Sequence, residues 1–308
     1  MPLHIQTPLI ESQALSHLTG KEVYLKLEAL QPPGSFKIRG IGLLCERLKA
    51  QGVDRFVSSS GGNAGIAVAY AGQKLGVPVT VVVPETTTER AKSVIQSFGA
   101  EVRVYGASWN EANEMAQSLA GQGGALVHPF DHPVLWEGYA SIVGEIVSAG
   151  ICPDAIIVSV GGGGLYSGVV EGLRANGLSS VPVIAVETEG TASFYSAIKA
   201  NGLVELDAIR GVATSLGAKK VAPNAFEAQK NHPTKSVVLS DAQAVSSCLR
   251  FLDDHRILVE PACGAALAPL YENLPQIKPY RTIVCVVCGG ATVTADQLWA
   301  FSADRPVS

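Results

Sequence analysis

No stretch of this 308-residue sequence approaches the roughly 18 consecutive apolar residues that a membrane-spanning helix needs. This holds although 47% of the residues are hydrophobic and the mean hydropathy is +0.25. The apolar residues are therefore left to build a large core. The opening segment, MPLHIQTPLIESQ, lacks a basic stretch followed by an apolar one, so no secretory signal is expected. Positive charge is not in excess: 23 Lys and Arg face 27 Asp and Glu, the net charge is −4, and the charges are scattered. A nucleic-acid surface needs a basic patch, and the sequence offers none. Cysteine is sparse, at six residues, too few for a disulfide framework in a chain of this length. Without a signal segment these are read as reduced thiols of a cytoplasmic protein. Internal repeats, low-complexity tracts and long linkers are also missing.

Two apparent metal motifs dissolve on inspection. Cys285-Val-Val-Cys288 lies in a strand-like run, and residues three apart on a strand face opposite sides. His128 and His132 are four apart, but Pro129 and Pro133 argue against a helix that would align them.

What the chain does have is alternation. Short apolar runs such as Val79–Val83 and Ala155–Ser159 read as buried parallel strands. Further strands are expected at Phe56–Ser58, Glu101–Val104, Val183–Val186, Ser236–Leu239 and Thr282–Val287. Between them lie helical patterns: Ala64–Leu75, a stripe of Ala91, Val94, Ile95 and Phe98 ended by Gly99, Ser108–Leu119, and a stripe from Trp136 to Val147. Later helices are expected after Gly164, at Ser193–Ala200, from Asp241, at Pro261–Tyr271 and from about Thr292. Such alternation implies an α/β fold with mostly parallel sheets and helices on both faces. The length suits one large unit or two lobes.

Ligands of open α/β sheets bind beyond the carboxyl ends of the strands. Three glycine-rich turns follow strands here. Ser58-Ser59-Ser60-Gly61-Gly62-Asn63-Ala64-Gly65 joins hydroxyls and exposed amides at a helix start, a place that attracts carboxylates but also suits a plain N-cap. Ser159-Val160-Gly161-Gly162-Gly163-Gly164-Leu165 lets successive amides converge on a phosphate. That phosphate could belong to a dinucleotide, with Glu187 on a ribose, although a strict G-x-G-x-x-G is absent. Val287-Cys288-Gly289-Gly290 ends a strand on a thiol. A fourth stretch, Pro32-Pro33-Gly34-Ser35-Phe36-Lys37-Ile38-Arg39-Gly40, sets a lysine after a tight turn. An arbitrary lysine is exposed; one held in a dry site can do covalent chemistry.

Together these segments resemble the serine/threonine dehydratase family, the fold-type II enzymes that use pyridoxal 5′-phosphate (PLP). The resemblance runs from Pro2 to about Leu298, and it is closest to the serine dehydratase branch. Pro129-Phe130-Asp131, Trp136-Glu137-Gly138 and the run from Val259 to Ala266 also fit, in order. The resemblance implies that Lys37 carries PLP and acts as the base. It sets Phe36 against the ring, Gly161, Gly162, Gly163, Gly164 and Leu165 on the phosphate, Asn63 on the 3′-oxygen and Cys288 at the ring nitrogen. Ser35, Ser60, Gly61 and Asn63 would hold the substrate.

The implied reaction is β-elimination, from L-serine to pyruvate and ammonia and from L-threonine to 2-oxobutyrate. A neutral Cys288 makes the ring a weak electron sink, which suits elimination over transamination. Gly61 stands where racemising relatives carry Ser, and it is expected to leave extra room. A monovalent cation, K+, is expected at Gly161, Glu187, Thr191, Ser193, Leu216 and Ala218. The family also implies a homodimer, and a small lobe at 35–135 closing on a large lobe at 1–34 and 136–308. Rival readings are a serine racemase, a cysteine synthase-like enzyme, a nicotinamide-dependent enzyme, and a PLP-binding protein without activity.

Overall fold

The computed structural model describes residues 1–303. The last stretch of the expected large lobe, 304–308, lies outside the described residues. The order is β1 (Leu9–Glu11), α1 (Gln13–Thr19), β2 (Glu22–Lys26), α2 (Lys37–Ala50), β3 (Phe56–Ser58), α3 (Asn63–Leu75), β4 (Val79–Val83) and α4 (Glu89–Ser97). Next come β5 (Glu101–Val104), α5 (Trp109–Ala120), β6 (Ala125–Leu126), α6 (Pro133–Ser148), β7 (Ala155–Ser159), α7 (Gly164–Ala175), β8 (Val183–Thr188) and α8 (Ser193–Ala200). The chain continues with α9 (Pro223–Lys230), β9 (Thr234–Leu239), α10 (Asp241–His255), α11 (Pro261–Tyr271), β10 (Thr282–Val286) and α12 (Ala295–Ala303).

Two sheets result. The larger runs β1-β2-β10-β7-β8-β9 and is parallel except for β1. The smaller runs β5-β4-β3-β6 and is parallel throughout. This is the α/β class that the alternation implies. All five residues of β4 and of β7 are buried, because helices cover both faces. Alternation still sorts the small sheet: Phe56, Val79, Val81 and Val83 face one apolar cluster, while Val57 and Val82 face another with Ala112, Ala116 and Leu119. Helix ends follow local chemistry. Ser240 and Gln243 form a capping box at α10, and Gly76 closes α3 in the left-handed region at φ 66°.

Six elements escape the pattern reading: β1, α1, β2, α2, β6 and α9. β2 reads EVYLK, and its buried Lys26 looks like a surface residue until its partners are known. The last helix starts at Ala295 rather than near Thr292. Helix α6 joins the two cores. Its Leu135 and Tyr139 pack with the small sheet's cluster, and its Ile142, Val143 and Ile146 pack with the large one. A lobe boundary at residue 136 therefore falls inside a helix.

Charge is buried at the same junction. Arg39, two residues past Lys37 on α2, donates to Glu28 at 2.7 and 2.8 Å and to Glu145 at 2.6 and 2.8 Å. Lys26 pairs with Glu145 too, and Thr7 donates to Glu28 at 2.6 Å. Arg39, Lys26 and Glu28 are fully enclosed. Each charge is stable there only because the others satisfy it.

Candidate active site

The Pro32-Pro33-Gly34 turn, with Gly34 at φ 83°, swings the chain onto the end of β10. The Phe36 amide donates to the Cys288 carbonyl at 3.1 Å, and the Gly290 amide to the Gly34 carbonyl at 2.9 Å. Lys37 then opens α2. Its Nζ donates to the Pro129 carbonyl at 2.6 Å and lies 5.3 Å from the centre of the Phe36 ring. Phe36 rests edge-on against Tyr139 at 4.9 Å. Burial lowers the Lys37 pKa from 10.5 to about 8, against the opposing pull of Cys288 and Glu260.

The four-glycine turn leaves the end of β7. Gly163 sits at φ 89°, where only glycine is at ease, and α7 starts at the next residue. A Cβ on Gly162 would lie 2.2 Å from the Phe130 Cγ, and one on Gly163 would lie 2.5 Å from the Ala225 Cβ. Among the described residues the amides of Gly161 to Leu165 have no acceptor. They form a side-chain-free cradle of N–H groups at a helix N-terminus, which fits a phosphate. Cys288 lies 3.4 Å from the Ser159 hydroxyl, on adjacent strand ends. Beside it is Cys263, whose thiol burial and Cys288 push far above the usual range.

Asn63 bridges the two sheets. Its Nδ2 donates to Glu260 Oε1 at 2.6 Å, and its Oδ1 accepts from the Ala291 amide at 3.0 Å. Glu260 also accepts from Thr292 Oγ1 at 2.9 Å. Burial raises its pKa, while hydrogen bonds from Ser215, Thr292 and Asn63 and the Lys37 charge oppose that rise. The sequence reading gave Glu260 no role. A lone acid inside the apolar run Val259–Ala266 was the available signal. Thr87 carries no signal in the sequence, and Phe130 stands in a matching segment without an assigned role, because both act through contacts distant in sequence.

The turn after β3 supplies the second cradle. The amides of Gly61, Asn63 and Ala64 have no acceptor among the described residues, while Ser60 Oγ accepts from the Gly62 amide at 3.3 Å. The Ser35 hydroxyl is buried without a partner. One expectation fails: Gly61 leaves no free room. A Cβ there would lie 2.7 Å from Thr87 Cγ2 and 2.9 Å from its Oγ1.

The expected cation residues form two groups. Gly161 touches Leu216, since a Cβ would lie 2.9 Å from the Leu216 Cα, and the Ala218 amide turns back onto the Leu216 carbonyl at 2.7 Å. Glu187 is buried, and its carboxylate accepts from the Phe194 and Tyr195 amides at 2.8 and 2.7 Å. Burial nevertheless pushes its pKa to about 8. Thr191 Oγ1 meets Thr188 Oγ1 at 3.0 Å, and the Ser193 hydroxyl is buried without a partner. Among the described residues no group of three or more His, Cys, Asp or Glu could hold a metal ion.

The buried amine of lowered pKa and the side-chain-free glycine turn are linked through Pro129, which accepts from Lys37, and Phe130, which packs on Gly162 and Gly164. Residues 1–289 match the family described as pyridoxal-phosphate dependent enzyme. The chain belongs to that family. It is 48% identical to the serine dehydratase-like protein of Rattus norvegicus, over 96% of this chain and 93% of the relative. It is also 48% identical to the L-serine dehydratase/L-threonine deaminase of Homo sapiens, over 97% and 95%. A fungal L-serine ammonia-lyase from Rhizomucor miehei superposes with a TM-score of 0.94 at 36% identity, covering 99% of both chains. In this pyridoxal-phosphate family member, a buried amine of lowered pKa suits an aldehyde, and a glycine turn with unpaired amides suits a phosphate. The nicotinamide reading falls with the family match.

Proposed function

We propose that this chain is an L-serine dehydratase that eliminates water from L-serine to give an enamine, which takes water back on hydrolysis to yield pyruvate and ammonia, and that it converts L-threonine to 2-oxobutyrate and ammonia in the same way. The observation that carries the reading is Lys37, a buried lysine whose pKa is lowered to about 8 and whose amine donates to the carbonyl of Pro129, the neighbour of the Phe130 that packs on the glycine turn. Bound PLP would draw electrons from the substrate Cα and so weaken its C–H bond. Gly161 to Leu165 hold the phosphate through their amides, and Phe36 covers one ring face. Ser60, Gly61 and Asn63 orient the substrate carboxylate with Ser35 close by, so that the Cα proton faces Lys37. The neutral Lys37 amine takes that proton as the β-hydroxyl leaves. Cys288, a thiol rather than a carboxylate, leaves the ring nitrogen without a compensating charge.

Further parts of the reading follow. The unit 35–135 closes over the substrate, with Asn63 as its contact to Glu260. A potassium ion takes the backbone oxygens of Gly161, Leu216 and Ala218 together with Glu187, Thr191 and Ser193; the partnerless Ser193 hydroxyl supports this. The protein works as a cytoplasmic homodimer, and its six free cysteines accord with a reducing compartment.

The test is keto-acid formation by purified protein with PLP and potassium. Pyruvate from L-serine or 2-oxobutyrate from L-threonine, abolished in Lys37→Ala, is expected. Absence of both products, with Lys37-dependent visible absorbance intact, overturns the reaction while leaving the cofactor.

A further inference from the structure

Gly61 and Thr87 occupy one space. The turn carrying Gly61 follows β3, and Thr87 lies in the connection after β4, the neighbouring parallel strand. Both connections therefore leave the same edge of the small sheet. With a Cβ on residue 61, Thr87 Cγ2 would stand at 2.7 Å, Thr87 Oγ1 at 2.9 Å and Val83 Cγ1 at 3.3 Å. Contacts below 3 Å require something to move, and Thr87 is poorly placed to do so. Its amide is tied to the Pro84 carbonyl at 3.0 Å, and the next residue, Thr88, caps α4 through the Ala91 amide at 3.3 Å. Any turn of its β-branched side chain to another staggered position brings hydrogen into one of the two crowded places and still leaves a heavy atom in the other.

We infer that Thr87 is a positioning residue for substrate: it supplies, from a different loop, the side-chain wall that residue 61 lacks. Gly61 and Thr87 form one packing unit in which only one position carries bulk. The Thr87 side chain backs the Gly61–Gly62 turn and keeps the amides of Gly61, Asn63 and Ala64 turned toward the α-carboxylate of an amino acid. The inference rests on the proposed function for the identity of that ligand. The packing itself does not depend on it.

A double-mutant cycle tests it on the PLP-loaded enzyme, with Gly61→Ala, Thr87→Ala and the two combined. The single Gly61→Ala change forces the turn off Thr87 and is expected to raise KM for L-serine about tenfold with kcat less affected. Thr87→Ala loosens the turn and raises KM about threefold or more, whereas Thr87→Ser, which keeps the hydroxyl, stays nearer wild type. The combined variant moves the side chain from one loop to the other, leaves Val83 as the nearest neighbour of the new Cβ, and returns KM to within about threefold of wild type. Melting temperatures of the same four proteins without substrate report the packing alone, and the combined variant should again recover. An unchanged KM in Gly61→Ala, or effects that simply multiply in the combined variant, overturns the inference. If wild-type protein makes no keto acid, the proposed function has failed; the melting temperatures then decide the pairing, and additive losses sink it.

Discussion

Proton occupancy of Lys37 is the most direct consequence of the structure. An exposed lysine at 10.5 has about one neutral amine in three thousand at pH 7; at about 8 the fraction is about one in eleven. The site thus gains about 300-fold in amine able to attack an aldehyde near neutrality. The cofactor-free protein, mixed with PLP across pH 7 to 10, should develop its Lys37-dependent visible absorbance at a rate that climbs about fivefold between pH 7 and 8. The rate should flatten above about 8, where the amine is already neutral. Lys37→Met, which shows no such absorbance, is the baseline. Stability gives a second readout with a fixed sign. Between about 8 and 10.5 the unfolded chain holds a proton on Lys37 that the folded chain does not, so folding stability rises with pH through that window. Below about 8 the folded protein carries the full cost of the buried charge, about 3 kcal/mol. Lys37→Met should therefore be the more stable protein in urea at pH 7 by up to that amount, with the gap closing toward pH 10.5. A capture rate that keeps its slope beyond pH 9, together with a gap that does not change with pH, would show that the pocket does not depress the amine.

Two further outcomes test other parts of the site. Gly162→Ala would set a methyl 2.2 Å from the Phe130 Cγ, and it should weaken PLP binding by about tenfold or more in an absorbance titration while the fold persists. Arg39→Met strands the enclosed carboxylate of Glu28, so urea unfolding at pH 7 should show a loss of about 3–5 kcal/mol.

The parts of the fold legible in sequence were those whose partners are generic. Val79–Val83 and Ala155–Ser159 needed only apolar neighbours, and their hydrophobicity announced them. β2 was hidden because Lys26 needs one particular acid, Glu145, 119 residues away. β6 has two residues and no pattern to show. The candidate site divides in the same way. Lys37, the glycine turn and Cys288 lie in short contiguous stretches whose chemistry is local. Glu260 became visible only through Asn63, and Thr87 only through the side chain that Gly61 does not have. A glycine in a sequence announces space; whether another loop has filled it is a fact of three dimensions.

The enclosed charge cluster around Arg39 has a consequence for how such an enzyme tells time. Lys37 and Arg39 share the first turn of one helix, and Arg39 is locked to Glu28 and Glu145, which come from the large-sheet side of the molecule. The reactive amine is thereby tied through Arg39 to Glu28 and Glu145, while its own helix packs into the small-sheet core through Ile38 and Ile41. The turn after β3 meets the large-sheet side through Asn63, which bonds to Glu260 and to the Ala291 amide. In the proposed closure, Arg39 would hold the base at the seam between the lobes, and the interval before reaction would be set by the arrival of the Gly61–Asn63 turn and not by assembly of the chemistry.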